Sequence, residues 1–278
     1  MITLEEIIIR KRKDTPPKLI ECAKNNLDFL YNTPSRPYHN YSHVEDCLRK
    51  LEITQRILDP SERDIAALAL IYHDCIYDSR YTDNERLSAE RAYVDLYALG
   101  FYGPLLLRIH NLILSTTHIN PGKDLCEKLI MDIDMSIFGE LIDVVLDYEK
   151  KIRQEYQLYS TKEYLRGRST FLKILLNKSS IYQTEVFQGQ YEKTARMNIE
   201  YILNELPKLY IDEPLPSMSP ELNNEEPVLV TEKRFYRKAG VEIHCYKCAF
   251  ESDCLYREYS SACHKYFLPS QGKIRDIK

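Results

Sequence analysis

Residues 67–74, ALALIYHD, place a histidine and an aspartate side by side at the end of an apolar run. Polar and charged groups are costly among apolar neighbours unless something pairs with them. Two other segments offer a partner. Upstream, in RPYHNYSHVEDCL (36–48), His43 opens a helix whose apolar stripe is Val44, Leu48 and Leu51. Downstream, in LIMDIDMSIFG (129–139), Asp134 lies four residues after Ile130 and three before Ile137, so it shares their apolar face. Asp132 falls nearer the polar side, with Lys128 and Ser136 at the i−4 and i+4 positions. Three helices would then each send a ligand inward: His43, then His73 with Asp74, then Asp134. Two imidazoles and two carboxylates suit a divalent transition ion or Mg²⁺. Positions would remain open on that ion for water and for substrate oxygens.

The elements that must carry these residues read as helices. Pro60 and Ser61 begin one, with Asp64 three residues after Ser61 in a capping arrangement. It continues through IAALALIY, apolar on every side, and is expected to be central and buried. Pro104 starts another, LLLRIHNLILSTTH, and residues 124–138 form a third with Cys126, Leu129, Ile130, Ile133 and Ile137 on one face. Further helical periodicity covers 17–31, 43–58, 84–98, 141–158, 163–176 and 190–206. No alternating Val/Ile/Thr run long enough for a sheet is present. The expected fold is all-α over residues 1–210. DEPLPSMSPELNNEEP (212–227) carries four prolines and sits in an expected linker at 211–234. A small Cys-rich module is expected at 235–278.

Composition bounds the function. The 278 residues are 44% hydrophobic and 29% charged, with a net charge of −4, which reads as a globular chain. A net negative chain has no overall field drawing it to nucleic acid or to an anionic membrane. No apolar run approaches the roughly 18 residues of a membrane span. The N-terminus, MITLEEIIIRKRKD, has acids before its apolar triplet and basic residues after it, the wrong order for a signal peptide. Eight cysteines without a signal peptide imply reduced thiols in the cytoplasm and metal ligation over disulfides.

Half of those cysteines fall in HCYKCAFESDCLYREYSSACHKYF (244–267): Cys245, Cys248, Cys254 and Cys263. A module this small buries little core and needs a staple. Tetrahedral Zn²⁺ on four cysteines would supply one, with His244 and His264 allowing a three-cysteine, one-histidine variant. An iron–sulfur cluster would use the same ligands, and scattered thiols on a docked tail are the plain reading. Cys22, Cys47, Cys75 and Cys126 are spread over separate helices and read as core residues.

The spaced set His…His-Asp…Asp on consecutive helices resembles the HD superfamily of metal-dependent phosphohydrolases. Arg36, Tyr38, His39, Asn40 and His43 resemble the R-x-Y-H-N-x-x-H signature of a subgroup of predicted HD phosphohydrolases. HDCIYD (73–78), TDNERLSAE (82–90), THINP (117–121), DIDMSIFG (132–139), EYQLYS (155–160) and RGRSTFL (166–172) are similar to later segments of that subgroup. The resemblance covers roughly residues 18–206 and implies an all-α HD-domain helical bundle with a bound divalent metal (Mn, Mg, Fe, Co or Zn). The ion would lower the pKa of bound water and polarise a phosphoryl oxygen. Asp74 would bridge or orient the attacking water.

Other residues have roles to be sorted. His118 would complete a second metal centre or bind phosphate, while His110 reads as a core residue between Ile109 and Leu114. Arg36 and His39 precede the first ligand and would grip phosphate, with Arg suited to two-point contact. The plain reading of Arg36 is an ordinary surface cation. Asp78 and Glu85 would orient a ligand histidine or serve as a helix cap and a solvated charge. The expected activity is metal-dependent hydrolysis of a nucleotide or another small phosphate ester or anhydride. Nucleic acid and membranes are not expected partners. A di-iron oxygenase of HD type, which draws on more histidines, and a nucleotide-binding sensor without turnover are the alternatives.

Overall fold

The computed structural model describes residues 2–210, and all regular structure among them is helical. The linker expected at 211–234 and the Cys-rich module at 235–278, with Cys245, Cys248, Cys254 and Cys263, lie outside the described residues. The helices are α1 (Leu4–Lys11), α2 (Pro17–Tyr31), α3 (Tyr41–Ile53), α4 (Pro60–Tyr72), α5 (Asn84–Ala98), α6 (Gly103–Ser115), α7 (Leu125–Asp134), α8 (Ile142–Glu155), α9 (Thr161–Asn177), the single turn α10 (Glu185–Phe187) and α11 (Lys193–Leu209). No helix among the described residues is long and apolar enough to cross a membrane.

Helix α4 is the hub. Ala66 to Tyr72 are all buried, and α1, α3, α5, α6 and α7 pack around them. A segment apolar on every side can only be satisfied from every side. Its start differs from the sequence expectation. Asp59, not Ser61, is the N-cap: its Oδ1 accepts from the backbone N–H of Ser61 at 2.8 Å and of Glu62 at 3.2 Å. Asp64 is instead buried and paired with Arg10 of α1, at 2.6 Å to Nη2 and 3.0 Å to Nε. Helix α1 itself was not foreseen. It carries a capping box in which Thr3 and Glu6 satisfy each other's backbone N–H groups, an arrangement worth about 1 kcal/mol.

The helix expected over 124–138 ends at Asp134 and tightens into a 3₁₀ turn, Met135–Gly139. Two contacts hold the turn. Asn198 of α11 donates from Nδ2 to the carbonyls of Phe138 and Glu140, each at 2.8 Å, and so serves carbonyls that no continuing helix would use. Gly139 lies against Tyr191, and a Cβ there would come within 2.6 Å of the Tyr191 Cβ. Further on, α8 and α9 are locked by a buried Arg168–Glu149 pair, with the guanidinium set against Phe138, Tyr148 and Phe171.

Candidate metal centre

Three helix ends and one loop supply the site. His43 lies in the first turn of α3, whose N-cap Asn40 accepts from Ser42 N–H through Oδ1 at 2.9 Å. His73 follows the last residue of α4. Its Nδ1 lies 2.8 Å from the Leu70 carbonyl. A carbonyl can only accept, so a proton sits on Nδ1 and Nε2 is the nitrogen that faces inward. Asp134 closes α7. His118 follows α6 with φ at +55°, the left-handed region that a histidine enters at some cost. Its Nε2 meets Asp134 Oδ2 at 2.8 Å.

The donor atoms converge. His43 Nε2 is 3.2 Å from His73 Nε2 and 3.2 Å from Asp134 Oδ1. His73 Nε2 is 3.4 Å from Asp134 Oδ1 and 3.1 Å from Asp74 Oδ2, while His43 Nε2 to Asp74 Oδ2 is 3.7 Å. With bonds of about 2.1 Å, neighbouring donors around one ion lie about 3.0 Å apart in an octahedral shell and about 3.4 Å apart in a tetrahedral one. The spacings among His43, His73 and Asp134, and that from His73 to Asp74, match such edges, while the 3.7 Å from His43 to Asp74 is longer than either. Two imidazole lone pairs this close repel unless a cation or proton lies between them, so the residues present fit a divalent ion.

The electrostatics agree with that fit. Burial opposes charge on His73, but Asp74 and Asp134 outweigh it and push its pKa well above the usual imidazole range. Burial likewise opposes ionisation of Asp74, yet His73 and, more weakly, His39 hold its carboxyl well below the ordinary value. The same balance keeps Asp134 ionised, through hydrogen bonds from His118, His43 and His73. Two carboxylates buried beside three imidazoles create a strong demand for positive charge.

Several sequence expectations change place. Asp132 is not on a polar face: it is 1% exposed and accepts from Gln183 N–H and Thr184 N–H at 2.7 Å and from the Thr184 hydroxyl at 2.6 Å. The segment before α10 folds back over that side of α7, so both faces of the helix are covered. Arg36 does not reach into the site for phosphate, nor is it a surface cation. It is 4% exposed and donates to the carbonyls of Leu30 at 2.9 Å, Cys75 at 3.2 Å and Asp74. Its face lies over the Tyr31 ring at 4.9 Å. It holds the backbone of the His-Asp corner. Asp78 orients no ligand: its carboxylate takes the Arg80 backbone N–H and guanidinium, closing a turn. His110 packs edge-on to Tyr93 with centroids 6.3 Å apart. Glu85 is half-buried, and its carboxyl is pushed up by burial, with repulsion from Asp74 and Asp134 adding to it.

His39 sits beside the ligands. Its ring stacks on Tyr77 at 3.8 Å and meets His43 edge-on at 6.0 Å. The sequence reading missed two participants. Cys47, assigned to the core, is buried, but its Sγ lies 3.7 Å from His43 Nε2 and belongs to the potential ligand group His43, Cys47, His73 and Asp134. Its position four residues after His43 was the available signal. Glu155, the partner of His39, opens EYQLYS, one of the segments similar to the subgroup, which was its only signal. Comparison with family models, with curated proteins and with solved structures gives no match for this chain.

Proposed function

We propose that this chain is a metal-dependent phosphohydrolase of the HD type, acting on a nucleotide or another small phosphate ester or anhydride. The observation that carries the reading is the convergence of His43, His73 and Asp134 at the spacings of one coordination shell, with Asp74 beside His73. The motif resemblance across residues 18–206 supports it. A divalent ion in this site would polarise a phosphoryl oxygen and acidify a water. The chain's own residues then have distinct tasks. The Leu70 carbonyl fixes the His73 tautomer that offers Nε2. His118 occupies Asp134 Oδ2 and turns Oδ1 towards the histidine pair. Arg36 anchors the carbonyls of Asp74 and Cys75, so the Asp74 carboxylate projects from a fixed corner. A small substrate fits a chain of net charge −4, which has no long basic track for a polymer. Of His110 and His118, the further histidines that a di-iron set would draw on, His118 meets Asp134 while His110 faces Tyr93.

The test is a panel of nucleotides and phosphate esters with Mn²⁺, Mg²⁺, Co²⁺, Fe²⁺ and Zn²⁺, alongside metal analysis of the purified chain. Chelation should abolish turnover, and Asp74→Ala should not be rescued by added metal. Metal-loaded protein that binds nucleotide but hydrolyses nothing on the panel would overturn the reading in favour of a sensor. For the Cys-rich segment, the spacing of Cys245, Cys248, Cys254 and Cys263 supports one structural Zn²⁺. The full chain should then hold about one zinc more than its Cys245→Ser/Cys248→Ser variant. Equal zinc contents would overturn that assignment.

A further inference from the structure

Asp132 and Asp134 stand two residues apart on α7 and so leave the helix on different sides. Asp134 Oδ2 meets His118 Nε2 at 2.8 Å, whereas Asp132 accepts from the backbone N–H groups of Gln183 and Thr184, each at 2.7 Å. The Gln183 side chain then turns to the loop that carries His118. Its Oε1 accepts from Gly122 N–H at 2.8 Å, and its Nε2 lies 3.3 Å from Met131 Sδ. Asp132, Gln183, the loop 118–122 and Asp134 thus form a closed ring that starts and ends on one helical turn. The loop needs such a tie. His118 sits at φ +55°, a conformation that a non-glycine residue keeps only where its surroundings impose it. Ile119 is 80% exposed and anchors nothing. Pro121 fixes its own φ and restricts Asn120 before it, so a constraint on Gly122 passes back to His118 through few free torsions. Gln183 is itself held from behind, because Glu192 Oε2 accepts from the N–H groups of Ile181 at 3.0 Å and Tyr182 at 3.1 Å.

We infer that Gln183 is a positioning residue for the metal centre: by clamping Gly122 it fixes the His118 loop, and through His118 it sets the rotation of Asp134 that presents Oδ1 to His43 and His73. The inference rests on the metal site of the proposed hydrolase and not on its substrate. Without the clamp, the loop relaxes from the left-handed turn and His118 loosens its hold on Oδ2. Asp134 is then free to turn, and the donor set is no longer preorganised. Side chains that orient metal ligands in this way typically contribute about 10- to 100-fold in metal affinity.

The test is a double-mutant cycle on the Mn²⁺ affinity of the full chain, read by calorimetric titration. Gln183→Met keeps the length of the side chain and its contact with Met131 but removes the acceptor for Gly122 N–H. It should weaken Mn²⁺ binding about 10-fold. Gln183→Glu restores an acceptor oxygen and should recover most of that loss. His118→Ala should weaken binding about 10-fold or more, and adding Gln183→Met to it should change the affinity by less than about twofold, because the clamp then has nothing to position. Thermal unfolding checks that each variant is folded at the titration temperature, and Gln183→Leu repeats the cycle if the methionine variant does not fold. A Gln183→Met variant that binds Mn²⁺ as wild type does, or a double variant whose losses multiply, would overturn the positioning role and leave the metal site intact. Wild type that binds no Mn²⁺, Co²⁺ or Zn²⁺ would overturn both.

Discussion

Replacing Arg36 by Ala separates two roles that one side chain could have. From the sequence, an arginine ahead of the first ligand grips phosphate, so its loss should weaken substrate binding and spare the fold. In the structure it is 4% exposed and donates to three carbonyls from different parts of the chain: Leu30, Asp74 and Cys75. Hydrogen bonds from a charged donor are worth about 1.5–3 kcal/mol each, but they are not additive, and water entering the gap replaces some of them. The Tyr31 ring loses its cation as well. A net loss of about 3–4 kcal/mol follows, near the top of the range for single substitutions. In a domain of this size that lowers Tm by about 6–16 °C. Urea or thermal unfolding of the metal-free variant reads the stability, and calorimetric Mn²⁺ titration reads the site. Metal affinity should fall with stability, because the Asp74 backbone is no longer anchored. A variant as stable as wild type, with KM raised and metal binding unchanged, would refute this account and restore the phosphate role.

Asp134→Asn should abolish metal binding while the fold survives, whereas Asp132→Asn should cost about 2–4 kcal/mol, from three hydrogen bonds to Gln183 and Thr184, and leave metal stoichiometry at low temperature unchanged. Titration and denaturation of the two variants side by side check this. Burial opposes the charge on Glu155, but His39 and the N–H groups of Tyr38 and His39 lower its pKa below the ordinary 4.5. Its contribution is therefore complete above that value and lost as pH falls through the lower folded value. Unfolding free energy should decline below about pH 5, and Glu155→Gln should flatten that slope. Gly139→Ala should destabilise by about 1–3 kcal/mol, because the new Cβ strikes Tyr191 and either the 3₁₀ turn or the ring must move; chemical denaturation measures it.

Much of the scaffold was legible in the chain. Helices over 17–31 and 84–98 coincide with α2 and α5, because amphipathic period and breaker residues are local properties. Helix α4 was recognisable as central because a segment apolar on every side has no other stable place. The inward direction of His43 and Asp134 could also be read, since a polar residue on an apolar stripe goes wherever the stripe goes. What the tertiary structure alone decided is what covers each face. Asp132 was placed on a polar side because nothing local reveals that residues 51 positions later fold over it. Arg36 looked like a free cation until the His-Asp corner, 38 positions on, brought carbonyls to it. The His39–Glu155 pair spans 116 positions. Periodicity tells which side of a helix is dry. Which distant segment supplies the hydrogen-bond partner there depends on how the helices pack, and no spacing within the sequence carries that information.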